Sequence, residues 1–593
     1  MCSILGYFNT SIFYNRVEHY NKKMSHRGPD VSCIKEYNFR NKKLYLSHNR
    51  LAIQDLNPNA NQPMENNRFV IVFNGEIYNH FEIRKEIKFK NFRTHSDTET
   101  LLWAFTELGI EKTISKLNGM FAIGLFDKKE QKLYLIRDRV GIKPLYWTFQ
   151  NSEFIFSSEL KGIRDELKEV DENSLIRFIG LSYIPNDKSY YKNIYKLRPA
   201  HYLVFDGENI TIKRYWDLPK EKIDIAFNEA VEEVEYLLKD SIKKRLLADV
   251  EVGSFLSGGV DSSLVSAIMA KVSNKKIKTF TIGFKEKEFN EAEFAKKIAN
   301  HIGSEHFEYY FDVKDVLDLV DKLDYYYDEP FGDASALPTM LLSKVTKSKV
   351  TVALSGDGGD ELFLGYDRYF FTQNYYNKLS KIPWYIRNIL YKFFEYSNID
   401  KFQKMSYPIK YLTKENLYAV ISSAVKPWEL GKIFNGEYIR ETFLHLQEYD
   451  GSFETVDDFS IFDFYRYLPD DILLKVDRAS MAYSLEARVP ILDYRIVEFA
   501  YSLPEDIKIK KGAKSILKEI VYKYISKELI DRPKMGFGVP LREWFRNELK
   551  DILYDKISSL DERFNKEYLY KLFKLHQKGA NYEYLFWNLM RIK

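Results

Sequence analysis

The chain has 593 residues and a mass of 70.3 kDa, which at about 100–200 residues per domain predicts several domains with large cores. A hydrophobic fraction of 45% excludes a mainly disordered protein, and only two cysteines exclude a disulfide scaffold. The formal net charge of +4 is too small to predict nonspecific binding to nucleic acid. We find neither an apolar run of about 18 residues nor a secretion signal, and we predict a cytoplasmic protein without membrane contact.

Residues 1–215 show short strand-like runs separated by turn residues, which predicts an α+β domain. The clearest runs cover residues 69–73, 120–126 and 134–136. One helix is predicted near 80–90. A second is predicted to open at Ser96, because Ser96 and Glu99 have the spacing of a capping box. The pattern changes near residue 215, so we predict a second domain over 216–593.

The second domain begins with a different alternation of elements. Strand-like runs at 250–256, 277–283 and 350–354 alternate with helical stretches, one of which starts near residue 290. This order predicts an α/β domain with a mostly parallel sheet that is covered by helices on both faces. Beyond residue 370 the sequence is chiefly helical in pattern.

The sequence SGGVDSS at 257–263 follows the first of these strands and leads into a helix. Adjacent glycines let backbone N–H groups converge, and the helix N-terminus adds partial positive charge, so this loop predicts a phosphate site. No GxxxxGK[ST] motif occurs, which argues against a kinase or a motor ATPase. A second loop, SGDGGDE at 355–361, follows a later strand. Its Asp357 and Asp360, together with Asp261, are candidate oxygen ligands for Mg²⁺.

Cys2 is the other candidate reactive residue. If Met1 is removed, Cys2 carries both a thiol and a free α-amino group, whose ordinary pKa is near 8. A nucleophile and a base would then share one residue, so that no partner histidine is required.

The first domain resembles the class II, N-terminal nucleophile, glutamine amidotransferases. The resemblance is carried by Cys2 and by four motifs: HRGPD at 26–30, SHNRL at 47–51, NGEIYN at 74–79 and SDTE at 96–99. It implies an Ntn-hydrolase αββα sandwich, in which Cys2 attacks the glutamine amide. Asn74 and the N–H of Gly75 would form the oxyanion hole, at a turn that follows a strand. Arg50 would bind the α-carboxylate of glutamine and Asp97 its α-amino group. The implied glutamine-binding set is Arg50, Asn74, Gly75, Glu76 and Asp97.

The loop SGGVDSS resembles the pyrophosphate loop of ATP pyrophosphatases, and the two domains together resemble glutamine-hydrolysing asparagine synthetases. Further motifs similar to that family are DEPF at 328–331, KVDRASM at 475–481, EARVP at 486–490 and RPKMGF at 532–537. The resemblance makes Lys514 a catalytic residue that stabilises charge. The implied ATP-binding residues are Leu256, Ser257, Gly258, Gly259, Val260, Asp261, Ser262, Ser263, Ile282, Ser355 and Gly356. Some members have Glu at the position of Asp357, which makes it a weaker Mg²⁺ candidate than Asp261 and Asp360.

The implied reaction uses glutamine, ATP and aspartate. The β-carboxylate of aspartate would attack ATP to give β-aspartyl-AMP and pyrophosphate, and ammonia released at Cys2 would then give asparagine. Met120, Ile142 and the 486–489 stretch resemble the walls of an ammonia tunnel, or are ordinary interdomain core. Two alternatives stay open: the same layout amidating a sugar uronic acid, and a noncatalytic glutamine or nucleotide sensor. A homodimer is the default assembly.

Overall fold

The computed structural model describes residues 2–9, 14–284, 291–311, 313–395, 409, 412–435, 449, 451–531 and 539–592. The predicted motif at 532–537 lies outside the described residues. Within the described ranges, no helix has the length and apolar character that crossing a membrane requires.

The strands form two sheets in residues 2–214, which we call the N-terminal region, and a third in residues 227–592, the C-terminal region. The N-terminal strands are β1 Ser3–Asn9, β2 Val31–Phe39, β3 Lys42–Arg50, β4 Met64–Glu65, β5 Phe69–Ile77, β6 Gly119–Asp127, β7 Lys132–Arg137, β8 Tyr146–Gln150, β9 Glu153–Ser157, β10 Ile194–Lys196, β11 His201–Phe205 and β12 Ile210–Arg214. The C-terminal strands are β13 Val252–Phe255, β14 Lys278–Phe284, β15 Glu305–Phe311, β16 Val352–Leu354 and β17 Glu486–Arg488.

Both regions contain helices, and each helix belongs to one region. Those of the N-terminal region are α1 Tyr14–Lys22, α2 His80–Glu86, α3 Asp97–Leu108, α4 Ile110–Lys116 and α5 Glu172–Leu181. Those of the C-terminal region are α6 Phe227–Arg245, α7 Val260–Val272, α8 Ala292–His301, α9 Val313–Tyr327, α10 Ala336–Lys347, α11 Gly359–Leu362, α12 Asp367–Leu379, α13 Trp384–Glu395, α14 Lys414–Ser422, α15 Pro427–Ile433, α16 Val456–Tyr465, α17 Leu473–Met481, α18 Tyr494–Ser502, α19 Glu505–Lys508, α20 Ser515–Val521, α21 Lys527–Ile530, α22 Leu541–Trp544, α23 Lys550–Ser559, α24 Lys566–Gln577 and α25 Glu583–Arg591.

The N-terminal region is an αββα sandwich, as the resemblance implies. The sheet orders are β10-β8-β9-β1-β3-β2 and β12-β11-β7-β6-β5-β4, and the pairings within both sheets are antiparallel. Side chains alternate between the faces of each strand. On β5, Val70 and Val72 point into the core between the sheets, while Ile71 and Phe73 pack against α3 and α4. On β1, Tyr7 packs with α1 on the opposite outer face.

The C-terminal region holds a five-stranded sheet in the order β15-β14-β13-β16-β17, and every pairing in it is parallel. One face packs against α6, α7 and α20, and the other packs against α10 through Leu342, Phe280 and Ala353. The prediction of a parallel sheet with helices on both faces is therefore confirmed. Among the described residues after 370, the only strand is β17, and the rest is chiefly helical.

The two regions share a buried core. Met120, Val140 and Ile142 of the N-terminal region pack in the same cluster as Val489 and Leu492 of the C-terminal region. All are at most 7% exposed, so these segments form a buried apolar contact between the regions.

Two local predictions need correction. Asn74 and Gly75 were expected at a turn, but they lie inside β5, opposite Ala122 and Phe121 of β6. The strand continues through them because β6 pairs with it as far as Ile77. The Ser96 cap forms, since its side chain accepts from the Glu99 N–H at 3.3 Å. Glu99 instead accepts from the N–H of Thr94, so the capping box is only half made.

Candidate active sites

A pocket lies beside Cys2, at the ends of β3 and β5 and the start of α3. The helix and both strands belong to the N-terminal region, but one wall of the pocket is Glu486 from β17. The lining residues are Cys2, His48, Arg50, Leu51, Ile53, Gln54, Ala60, Gln62, Phe73, Gly75, Glu76, Ser96, Asp97, Thr98 and Glu486.

Asn74 and Gly75 stand next to Cys2. The Cys2 N–H donates to Oδ1 of Asn74 at 3.0 Å, which fixes the amide so that its Nδ2 is the remaining donor. That buried Nδ2 makes no hydrogen bond to any residue that the structure describes. At Gly75 a Cβ would lie 2.0 Å from the carbonyl oxygen of Met120, so a side chain cannot be placed there. The Cys2 thiol is buried, and burial raises its pKa.

Two carboxyl groups of the pocket have raised pKa values. Burial raises the pKa of Asp97 to about 6, although its Oδ2 accepts from the N–H of Ile77 at 2.9 Å. Burial, followed by the charge of Glu486, raises the pKa of Glu76 well above its ordinary value. Burial therefore disfavours the charged form of both carboxyl groups, and a cation bound beside them would stabilise that form.

Arg50 is held by the segment that follows β3. Its Nη1 donates to the carbonyl of Asn57 at 3.1 Å and to Oδ1 of Asn61 at 2.6 Å, and its Nη2 donates to the carbonyl of Asp55. The guanidinium lines the pocket, and these bonds fix its position there. Beside it, burial lowers the pKa of His48 to about 3, so this imidazole is neutral at neutral pH.

Glu486 and Arg488, which the sequence analysis did not assign to the glutamine site, connect the pocket with the C-terminal sheet. Arg488 Nε donates to Oε1 of Glu486 at 2.7 Å, and its Nη2 lies 3.5 Å from Oε1 of Glu76. The carbonyl of Arg488 accepts from the N–H of Ser355 at 2.9 Å, at the start of the 355–361 loop. No local sequence signal reveals these contacts, because residues 76, 355 and 488 meet only through the fold.

Arg27 of the HRGPD motif makes a second connection. Its Nε donates to the carbonyl of Cys2 at 3.1 Å, and its Nη1 donates to Glu159 at 2.9 Å and to Asp477 at 2.8 Å. Asp477 belongs to α17 of the C-terminal region, and all of these side chains are buried. Arg478 adds a further buried ion pair to Glu159, at 2.5 Å. A buried charge network thus links the backbone of Cys2 to α17.

The loop 257–263 lies at the carboxyl end of β13. Ser257 Oγ and Ser262 Oγ are 2.9 Å apart, and the Gly259 N–H donates to Ser257 Oγ at 3.3 Å. The second loop packs against it through glycine. A Cβ at Gly356 would lie 2.7 Å from the backbone N of Ser262, and one at Gly359 would lie 2.5 Å from Cγ of Asp261. The two predicted loops are therefore in contact at the edge where parallel sheets bind ligands.

Lys514 lies between the two loops. Its ammonium pairs with Asp261, and it is 2.7 Å from Oδ1 of Asp360. Burial alone would lower the pKa of Lys514, but the two carboxylates outweigh it and raise that pKa. Lys514 has a φ of 56°, a left-handed conformation that is uncommon for lysine and often found at functional sites. The fold thus brings three predicted site residues from three separate segments together.

The remaining predicted ATP-site residues occupy the same sheet edge. Leu256 follows β13, and its N–H donates to the carbonyl of Phe280 at 2.9 Å, while Ile282 is buried in β14. Asp357 interacts with Lys475 and with Asp360, and burial raises its pKa. Among the described residues there is no group of three or more His, Cys, Asp or Glu side chains arranged to hold a metal ion. Asp261 and Asp360 nevertheless converge on one cation, Lys514, which fits carboxylates that share a metal with phosphate oxygens.

Both regions match family models. Residues 1–216 match the glutamine amidotransferase domain, and residues 233–593 match asparagine synthase. The putative asparagine synthetase (glutamine-hydrolyzing) 2 of Methanocaldococcus jannaschii is 35% identical over 81% of this chain and 98% of its own length. Asparagine synthetase (glutamine-hydrolyzing) 1 of Bacillus subtilis is 31% identical over 97% of this chain and 93% of its own length.

The matches define a glutamine amidotransferase joined to an ATP-dependent ligase. The chain belongs to the family of glutamine-hydrolysing asparagine synthetases. Among solved structures, the glutamine phosphoribosylpyrophosphate amidotransferase of B. subtilis, complexed with ADP and GMP, is similar at a TM-score of 0.28 and 16% identity, covering 47% of this chain and 65% of that one.

Proposed function

We propose that this protein makes asparagine from aspartate, ATP and glutamine, with AMP and pyrophosphate as by-products. The observation that carries the proposal is the connection between the two sites. Glu486 lines the Cys2 pocket, and Arg488, two residues further on, bonds to the start of the loop that packs against the 257–263 loop. A pocket that releases ammonia and a loop pair suited to phosphate thus lie on either side of one short strand.

In the first half-reaction, the sulfur of Cys2 attacks the amide carbon of glutamine. The C–N bond of the resulting tetrahedral intermediate breaks, which releases ammonia and leaves a glutamyl thioester on Cys2, and water then hydrolyses the thioester to glutamate. The Asn74 Nδ2 donor and the Gly75 N–H stabilise the negative charge that develops on the amide oxygen. Arg50 binds the α-carboxylate, and ionised Asp97 binds the α-ammonium. Because burial raises the pKa of the thiol, the free α-amino group of processed Cys2 is the group that takes the thiol proton.

In the second half-reaction, an oxygen of the β-carboxylate of aspartate attacks the α-phosphorus of ATP, and pyrophosphate leaves. Ammonia then displaces AMP to give asparagine. The 257–263 loop binds the pyrophosphate part of ATP, and Lys514 stabilises the charge on the phosphoryl oxygens. Mg²⁺ would be held by Asp261 and Asp360, and when bound it would neutralise phosphate charge. Leu256, Ile282, Ser355 and Gly356 form the AMP side of this site.

Ammonia passes between the sites along the interface of the two regions. Met120 and Ile142 lie in the shared core, where water is excluded and ammonia is protected from protonation. Exclusion of water also protects the acyl adenylate. Both cysteines are free, which agrees with a reducing compartment such as the cytoplasm. A homodimer stays a prediction.

Transfer of label tests the proposal. With ATP, Mg²⁺ and aspartate, glutamine labelled at the amide nitrogen should give labelled asparagine, and AMP and pyrophosphate should form in equal amounts. Accumulation of ADP and orthophosphate instead would contradict the proposed adenylation, and asparagine without label would contradict the transfer of ammonia.

A further inference from the structure

One helix of the C-terminal region, α13, carries large apolar side chains on its solvent-facing side. Trp384, Ile389 and Phe393 are between 66% and 71% exposed. Tyr385 and Ile386 of the same helix are exposed as well. We propose that α13 lies in the surface of a lipid bilayer with anionic head groups, and that these side chains contact the lipid. The inference goes beyond the proposed function and does not depend on it.

The exposed side chains form a stripe along α13, which we call the α13 stripe. Tyr385, Ile389 and Phe393 follow one another at intervals of four residues, so they lie on one helical face. Ile386 lies beside them, three residues before Ile389. Arg387, by contrast, points to the other side of the helix and is half-buried. Since a surface helix usually turns its apolar stripe towards the core, an apolar stripe that faces solvent indicates a further contact.

The α13 stripe is a concentrated group rather than a set of scattered residues. In the described ranges 18 large apolar side chains are exposed, and five of them lie within the ten residues 384–393. Most of the others stand singly on separate elements, such as Leu56, Tyr236 and Leu575. Single exposed apolar side chains are normal on a protein surface, whereas a contiguous group marks an interaction site.

The chain around α13 is basic. Residues 368–394 contain five Lys and Arg residues and no Asp or Glu, although acidic residues occupy 85 of the 593 positions of the whole chain. Lys378, Lys381 and Lys392 are exposed. Lys392 borders the α13 stripe, because it follows Ile389 by three residues on the helix. The apolar stripe therefore lies among positive charges, which complement an anionic surface.

A bilayer suits the α13 stripe better than a second copy of the chain does. Two copies joined through α13 would bring their lysines together, and residues 368–394 supply no carboxylate to pair with them. In a bilayer, Trp384 and Tyr385 suit the boundary between head groups and acyl chains, where aromatic side chains with a polar group are enriched. The apolar side chains further along the helix would then enter the acyl region.

The length of α13 fits a helix that lies in the bilayer surface. Its 12 residues make a helix about 18 Å long, which is too short to cross the hydrocarbon layer. We predicted no membrane contact from the sequence because no apolar run is long enough to span a bilayer. A short helix with an exposed apolar stripe gives no such signal, since the exposure of its side chains depends on the fold.

Sedimentation with vesicles tests the proposal on the full-length protein. The vesicles consist of phosphatidylcholine alone or with about 30% phosphatidylglycerol, and binding is expected only to the anionic vesicles. Binding should weaken in about 1 M salt, which screens charge. On binding, tryptophan emission should shift to shorter wavelength as Trp384 leaves water, and this shift should be absent in Trp384→Phe. A shift that remains in Trp384→Phe would contradict insertion of α13.

Substitutions on exposed positions separate lipid contact from folding. Ile389→Glu should lower the partition coefficient for anionic vesicles at least roughly 10-fold, because it puts a charge into the apolar stripe. Lys392→Gln should lower it roughly fivefold. Ile552→Glu on α23 is the matched control, since Ile552 is also an exposed isoleucine, and it should bind as the wild type does. All three variants should keep the wild-type Tm.

Several outcomes would overturn the inference. They are no binding to anionic vesicles, equally strong binding to phosphatidylcholine alone, unchanged binding in Ile389→Glu, or an equal loss in Ile552→Glu. Sedimentation velocity without lipid tests the competing occupant. A dimer that Ile389→Glu dissociates, in a protein that binds no vesicles, would assign the α13 stripe to a contact between two copies. None of these measurements uses the substrates, so their failure would leave the proposed synthesis of asparagine unaffected.

Discussion

The Cys2 pocket is fixed mainly by hydrogen bonds that involve the backbone, whereas the site at Lys514 is fixed by charge pairs and glycine contacts. In the first, Asn74, Arg50 and Asp97 each bond to a main-chain group. In the second, Lys514 is balanced by Asp261 and Asp360, and Gly356 and Gly359 bring the loops into contact. Fixed donors suit the neutral amide of glutamine, whereas charges that can exchange partners would suit a polyphosphate and a metal ion bound with it.

The largest difference between the two sites is expected in Cys2→Ala. It should abolish glutamine hydrolysis and glutamine-dependent synthesis, because the nucleophile is lost. Synthesis from added ammonia should remain near the wild-type rate, as measured by asparagine formation. Cys33→Ala is the matched control, since Cys33 is half-buried on β2 and does not line the pocket. Loss of the ammonia-dependent reaction in Cys2→Ala would show that the two sites are not independent.

Lys514→Ala should have the opposite effect on the two sites. It removes the positive charge at the phosphate site and leaves Asp261 and Asp360 without their shared partner, so pyrophosphate release should fall at least roughly 1,000-fold. Glutaminase activity, measured as glutamate formed without ATP, should be retained. Lys511→Ala is the control, because Lys511 is exposed and pairs with Glu519 at the surface, away from the phosphate site. Adenylation at the wild-type rate in Lys514→Ala would contradict the role of Lys514.

Asn74→Ala tests the fixed donor of the first site. Loss of one oxyanion donor should lower the glutaminase kcat roughly 100-fold, with a smaller change in KM for glutamine. Ammonia-dependent synthesis serves as the internal control in the same preparation and should be unchanged. A variant whose KM rises while kcat is kept would indicate that Asn74 binds glutamine in its ground state only.

The smallest expected effect is a pH dependence. The pKa of Asp97 is about 6, above the ordinary aspartate value, so its charged form dominates only above about pH 6. If Asp97 binds the α-ammonium, kcat/KM for glutamine should fall about tenfold per pH unit below that value. Asp97→Asn should have a low kcat/KM for glutamine at every pH and should not show this pH transition. A transition that persists in Asp97→Asn would assign it to another group.

Much of this arrangement is predictable from local sequence. The strand-like apolar run at 69–73 predicts β5, and SGGVDSS predicts a loop between a strand and a helix. The turn expected at Asn74 was wrong because pairing with β6, a long-range interaction, extends the strand. Glu486 and Arg488 were missed at the glutamine pocket for the same reason: their position depends on how β17 meets the N-terminal region. The π-helical turn at Leu468–Ile472, before α17, has no simple residue pattern either.

The buried charge network around Arg27, which links the backbone of Cys2 to α17, limits whether the two halves of the chain can be separated. We expect single substitutions to separate the two reactions, but we do not expect the two halves of the chain to be stable apart from each other. Cutting the chain between its halves would deprive Asp477 of its ion pairs with Arg27 and Lys143, and Arg478 of its ion pair with Glu159, and would expose these buried charges. Fragments produced alone should therefore be poorly stable, and recombining them should restore both folding and the fixed main chain at Cys2. The two reactions are thus expected to be separable, whereas the two regions depend on each other for stability.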